Sequence, residues 1–234
     1  MSELVDGIAL RVHESKVKLD DCAYCRPVLA QKLNITYVLC MGRGSSDGPS
    51  WSSLFEIAAG QEGLFTTKQA AEAGYSPQLL NHHVRAGKVV RIQRSIYRLV
   101  YFPAGEHEEL VAAWLWTELA GVVSHQSALA LHGLSDLLPA HIHLTLPAAW
   151  RRRRFRVPEG VLLHHADVPL EDRAWFGAIP TTNPRRSLND CAHEGLSPDL
   201  LRQAAAQALR RGLVTKDELG DVEAALAPFG GLAA

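Results

Sequence analysis

Gln78, Asn81, His82 and Arg85 lie within eight residues of one another, and at 100° per residue a helix carries all four on one face, with Leu80 and Val84 opposite. These are the side-chain types that read base edges. An Asn or Gln amide bonds adenine in two places and an Arg guanidinium bonds guanine in two places. A helix whose N-terminal half enters the major groove presents such groups to the bases. Between Glu72 and Glu106 there is no acid, yet Arg85, Lys88, Arg91, Arg94 and Arg98 all fall there. Each phosphate neutralised by Lys or Arg releases counterions and supplies affinity independent of sequence. The competing reading, a solvated helix face on a protein-binding module, gives no reason for an acid-free, Arg-spaced stretch beside a Gln/Asn/His/Arg face.

A second basic run, Arg151, Arg152, Arg153 and Arg154 with Arg156 close behind, has two readings: a solvated loop, or a further phosphate contact or surface for an acidic partner. Trp150 and Phe155 flank it. The expected DNA-binding set is therefore Gln78, Asn81, His82, Arg85, Lys88, Arg91, Arg94, Ser95, Arg98 and Arg151 to Arg154.

Other residues suggest different chemistry but assemble less well. Cys22-x-x-Cys25 is half a zinc site; the remaining candidates, Cys40 and His13, form no second close pair. Ser124, His125, His132, Asp136, His141, His143, His164 and His165 contain the types needed for a triad or a metal cluster. On a strand His141 and His143 share one face and could ligate, but histidines at element ends more often satisfy local hydrogen bonds. Ser124 reads as the N-cap of a helix ending at Gly133. A nuclease of the Asp…Glu/Gln-x-Lys type needs a lysine two positions after an acid. Lys216 is the only lysine after Lys88, and Val214 stands two positions before it. The expectation is no enzyme, no catalytic residue, no metal and no cofactor.

The elements that position the helix face are marked by local signals. Ser53 to Gly60 reads as a short amphipathic helix. Thr66 or Thr67 caps a second, Lys68 to Ala73, closed by Gly74, and Ser76 with Pro77 starts a third that stops at Gly87. Val89 to Ile92 and Ile96 to Tyr101 are β-prone runs around Gln93-Arg94-Ser95, a hairpin whose tip would grip the DNA backbone or enter a minor groove. Three helices and a hairpin make a winged helix-turn-helix. Beyond it, Glu106 to Ala120 and Gln126 to His132 read as helices, and His141 to Leu146 and Val161 to His164 as strands. Helices open at Asn183-Pro184 and Ser197-Pro198, and a capping box at Thr215-Lys-Asp-Glu218 starts a last helix reaching Leu226.

The fold class is thus α+β, a winged helix-turn-helix domain followed by a mixed α+β domain. The divisions are a head at 1–41, a Gly/Ser/Pro linker at 42–52, the winged domain at 53–104, the α+β domain at 105–228 and a tail at 229–234. The only methionines are Met1 and Met41, so a start of translation at Met41 is one reading of the head. The 234 residues, with 24 Lys and Arg against 25 Asp and Glu, are an ordinary globular balance that excludes wholesale disorder, collagen and a uniformly basic chromatin-type protein. The N-terminus lacks the basic and apolar regions of a secretory signal, and no apolar run is long enough to span a membrane. Four cysteines do not make a disulfide scaffold, which places the chain in a reducing cytoplasm.

Leu64-Phe-Thr-Thr-Lys-Gln-Ala-Ala-Glu-Ala-Gly74, Leu79-Leu80, Arg85-Ala-Gly-Lys-Val-Val-Arg91 and Ser95-Ile-Tyr-Arg98 resemble the winged helix of AbiEi-type antitoxins of type IV toxin-antitoxin systems. Val123-Ser-His-Gln-Ser-Ala-Leu-Ala-Leu-His-Gly-Leu134 and Ile179-Pro-Thr-Thr-Asn-Pro-Arg-Arg-Ser-Leu-Asn-Asp190 look like the blocks that follow in the same family, so the resemblance covers about 53–215. Where the family's wing has Gly before the Tyr, this sequence has Ser95, which leaves the turn type open. The resemblance implies a DNA-binding transcriptional repressor of its own promoter, often encoded beside a nucleotidyltransferase-like toxin that it need not touch. Self-association, as a homodimer, or contact with a partner is the role expected of the α+β region. The alternative is an interaction protein that counters a toxin or binds a partner through that region, with DNA binding secondary.

Overall fold

The computed structural model describes residues 48–136, 138–154 and 156–232, all within one compact unit. Expectations for the head at 1–41, including Cys22 and Cys25, and for most of the linker lie outside the described residues.

The winged segment forms because its helix starts are chemically explicit. Ser50 caps α1 (Trp51–Ala59) by accepting from the Ser53 N–H. A short strand β1 (Leu64–Thr66) leads into α2 (Thr67–Glu72), where Thr66 and Gln69 form a reciprocal capping box: the Gln69 N–H donates to Thr66 Oγ1 at 3.1 Å and the Thr66 N–H to Gln69 Oε1 at 2.8 Å. Ser76 Oγ accepts from the Leu79 N–H at 3.2 Å, and Pro77 occupies the first turn of α3 (Pro77–Arg85). Strands β2 (Val89–Gln93) and β3 (Ile96–Leu99) follow. Both β1 and β2 pair antiparallel with the central β3. Leu54, Ala58, Phe65, Ala70, Leu80, Val89, Tyr97 and Leu99 fill the space between helices and sheet.

The second region starts with α4 (Glu108–Trp116), β4 (Val122–Val123) and α5 (His125–Leu131). Strands β5 (Ile142–Leu146), β6 (Val161–His165), β7 (Arg173–Phe176) and β8 (Ile179–Thr182) complete a sheet of order β6-β5-β4-β8-β7, with β5·β6 and β4·β8 parallel and the other pairs antiparallel. Helices α6 (Pro184–Glu194), α7 (Pro198–Arg210) and α8 (Gly220–Leu226) pack with α5 around Leu129, Leu188, Cys191, Leu201 and Val222. Gly195 ends α6 at φ 79°, a left-handed position that favours glycine. The capping box at Thr215 opens a 3₁₀ turn, Lys216–Leu219, ahead of α8 rather than the α-helix itself.

The α+β class read from the sequence is borne out. Strands β1, β4, β7 and β8 have no counterpart in that reading. β4 has only two residues, and β8 holds Pro180 while lying between β4 and β7, a residue that argues against a paired inner strand. Leu64 and Ile96 of the first sheet share a buried cluster with Val111, Trp114, Leu144 and Ile179 of the second region. The His107 N–H also donates to Glu62 across the expected 104/105 boundary.

Candidate nucleic-acid interface

Leu80 is 2% exposed and fixes α3 against the core. Burial on that scale contributes about 1.5–3 kcal/mol and sets which face looks outward: Gln78, Asn81, His82 and Arg85 are all exposed. None of the described residues hydrogen-bonds the side chains of Gln78, Asn81 or Arg85. The adjacent His83 turns inward instead, its ring 5.5 Å from those of Trp51 and Tyr75. Burial, then the nearby Lys88 and His82, lower its pKa. Two consecutive histidines therefore have different roles, one solvated and one packing the helix onto α1.

Lys88, Arg91, Arg94 and Ser95 are exposed, following α3 into the hairpin and around its tip. The Arg91 Nε–H donates to the Gln93 carbonyl at 3.3 Å. The register between β2 and β3 shifts between Arg91 and Gln93, and Ser95 takes φ 64°. A serine thus occupies the left-handed turn position without glycine. Arg98 is not brought to this surface. Its Nε–H donates to Glu108 at 2.8 Å and its Nη2 to the Phe102 carbonyl at 3.0 Å, with 16% of the side chain exposed. It belongs to the contact between the wing and α4.

Arg151 to Arg154 are exposed in and after a 3₁₀ turn, Ala148–Arg152, that connects β5 to the edge strand β6. The Arg153 guanidinium lies 4.1 Å from the centre of the Trp150 ring, a cation–π arrangement. Asp136 bonds the Gln203 amide and is not the acid of a triad with Ser124 and His125. Ser124 occupies the N-cap position of α5 without donating or accepting a cap bond; its Oγ lies 2.9 Å from His125 Nδ1 and accepts from Thr145 Oγ1 at 2.7 Å. His141 precedes β5 and is exposed, so it does not share a site with the buried His143. His143 instead meets His125 and His164, two residues the sequence pairing missed; one ring nitrogen of each lies within 4.8 Å of the others, and the His125 and His164 rings are stacked 3.6 Å apart. Burial, then His164, His143 and Arg186, push the His125 pKa down to about 3.

The three-helix, hairpin-bearing segment now has both a fold and an exposed polar face. Residues 52–100 match the family described as "Transcriptional regulator, AbiEi antitoxin". The AbiEi resemblance carried by the Leu64 to Arg98 motifs is thereby borne out over the winged segment, while the blocks at 123–134 and 179–190 lie beyond the match. None of the curated proteins matches the chain. Among solved structures, "Crystal structure of RV2827C protein from Mycobacterium tuberculosis" is similar at 17% identity, over 80% of this chain and 79% of that one, with a TM-score of 0.42. Among the described residues no helix is long and apolar enough to cross a membrane.

Proposed function

We propose that the chain is a sequence-specific double-stranded DNA-binding transcriptional regulator, the autorepressing antitoxin of a type IV toxin-antitoxin system. One observation carries the reading: Gln78, Asn81, His82 and Arg85 stand exposed on α3, a helix anchored by buried Leu80 and followed by exposed Lys88, Arg91 and Arg94. In this arrangement α3 reads the major groove and the hairpin grips phosphates, with Arg151 to Arg154 as a further phosphate contact. The winged segment at 53–104 supplies DNA contact and residues 105–228 supply self-association or contact with a nucleotidyltransferase-like toxin. The cytoplasm is where such a regulator meets its promoter.

The test is a binding assay of the full chain on its own promoter and on a scrambled duplex, at two salt concentrations. Affinity falls steeply with salt on both duplexes. Asn81→Ala costs about 1–3 kcal/mol on the promoter alone. Equal loss on both duplexes removes the base-reading role, and no promoter preference in the wild type removes the regulator.

A further inference from the structure

Behind the five-stranded sheet, three histidines from three elements converge. His125 opens α5 directly after β4, His143 lies on β5 and His164 on β6. The β5·β6 register places His164 opposite Thr145, two residues along from His143, so that both rings sit on the same face of the sheet. Each histidine offers one ring nitrogen, and these atoms all lie within 4.8 Å of one another. His143 Nδ1 and His164 Nε2 are 3.0 Å apart. Glu194, the last residue of α6, brings its carboxylate to 3.7 Å from His143 Nδ1 and 3.9 Å from His164 Nε2.

These separations bracket the distance between neighbouring ligands of a tetrahedral zinc ion, about 3.4 Å for metal–ligand bonds of 2.0–2.2 Å. We propose that His125, His143, His164 and Glu194 form a four-ligand site for a divalent transition-metal ion of the zinc class. Three imidazoles and one carboxylate are a donor set such an ion takes; because the His125 ring lies stacked 3.6 Å over that of His164, ligation by both requires one of the two rings to turn about its Cβ–Cγ bond. His125 and His143 are 9% and 3% exposed, so the ion is shielded from water on the sheet side, and His164 and Glu194 lie on the more open side.

Three further features fit the assignment. Ser124 Oγ engages His125 Nδ1 and is itself held by Thr145, the kind of outer partner that sets a ligating imidazole's tautomer. His125 is held at φ 52°, a left-handed conformation that non-glycine residues seldom adopt and that concentrates at functional sites. Glu194 places a negative charge in the last turn of α6, where the helix dipole is unfavourable to it; a cation between the carboxylate and the histidines reverses that penalty. The ion would bind the β4–α5 junction, β5, β6 and α6 to one point. This inference is independent of the DNA-binding reading.

The test uses the full chain, stripped with a chelator and titrated with zinc and, separately, with cobalt(II). The expected result is one ion bound per chain, the intense visible absorption of four-coordinate cobalt, and a melting temperature that rises with zinc and falls back with chelator. Glu194→Gln should weaken zinc binding at least about tenfold while leaving the melting temperature of the stripped chain close to wild type. His164→Ala should abolish the cobalt spectrum, and His141→Ala, outside the cluster, should change neither readout. Should His164→Ala fail to fold, Glu194→Gln at the open side still decides. A folded wild-type chain that binds no stoichiometric zinc or cobalt overturns the site and leaves a hydrogen-bonded histidine pair. Binding unaffected by both Glu194→Gln and His164→Ala overturns it equally.

Discussion

On α3, Gln78, Asn81 and Arg85 stand in solvent with no hydrogen-bond partner among the described residues. Behind the second sheet, Ser124, His125, His143 and Thr145 are buried and bonded within their own neighbourhood. Both regions are rich in polar side chains, but they answer the cost of desolvation differently. The buried groups must be satisfied inside the protein, because an unmet one loses its full hydration. The exposed groups incur no such cost and keep their donors and acceptors for a partner. Polarity alone therefore does not mark an interface. Hydrated polar groups on an element fixed from behind by apolar packing stay open to a partner, and the proposed reading of α3 uses that.

The contrast is drawn between regions that share a core, and the largest expected effect tests that sharing. Ile96, 1% exposed, lies on the wing strand β3 yet packs with Trp114, Leu144 and Ile179. Ile96→Ala should destabilise the chain by about 2–5 kcal/mol in denaturant unfolding, with fluorescence and circular dichroism losing signal in one transition. Two separate transitions would mean that the winged segment and the mixed sheet fold independently.

A smaller effect separates two arginines four residues apart. Arg98→Ala removes a half-buried guanidinium from Glu108 and the Phe102 carbonyl and should cost about 1–3 kcal/mol of stability. Arg94→Ala at the exposed hairpin tip should change stability by less than about 0.5 kcal/mol. It should weaken promoter and scrambled duplex alike and lower the salt slope by about 1. The reverse pattern would exchange the roles of the hairpin's two faces.

What the sequence made legible was local. The capping box at Thr66, the Ser76-Pro77 start of α3 and the spacing of Gln78, Asn81, His82 and Arg85 each lie within a few residues, and the structure has these helix starts. Ser95 before Ile96 likewise proved able to take the positive φ of the turn. Arg98 looks the same as Arg94 in a count of basic residues, because its partner Glu108 follows only after the hairpin has folded back on α4. The histidine cluster was hidden for the same reason on a longer scale, its members spread from His125 to Glu194. Alternation paired His143 with His141, but β5 begins at Ile142 and leaves His141 outside the sheet. Strand β8 was concealed by Pro180 and by burial along its whole length, which erases the period of two.

The smallest effect concerns a buried polar group away from the metal-type cluster. His132, at the end of α5, has its Nε2 2.7 Å from the Thr182 carbonyl, so the neutral ring donates from Nε2. Burial lowers its pKa and Arg211 lowers it further, outweighing the opposite effect of the carbonyl. In the unfolded chain the same ring titrates near 6.5. Below that value the unfolded state binds a proton that the native state resists, so the stability His132 contributes is complete above pH 6.5 and declines as pH falls towards its lowered native pKa. His132→Gln removes the titration while retaining a donor for Thr182. Denaturant unfolding at a series of pH values from neutral down to 5 should show a shallower acid decline for the variant than for the wild type, with the two curves nearly parallel above pH 7. Parallel curves throughout would show that protonated His132 is accommodated without loss, and that the interior of the second region tolerates charge as the surface of α3 does.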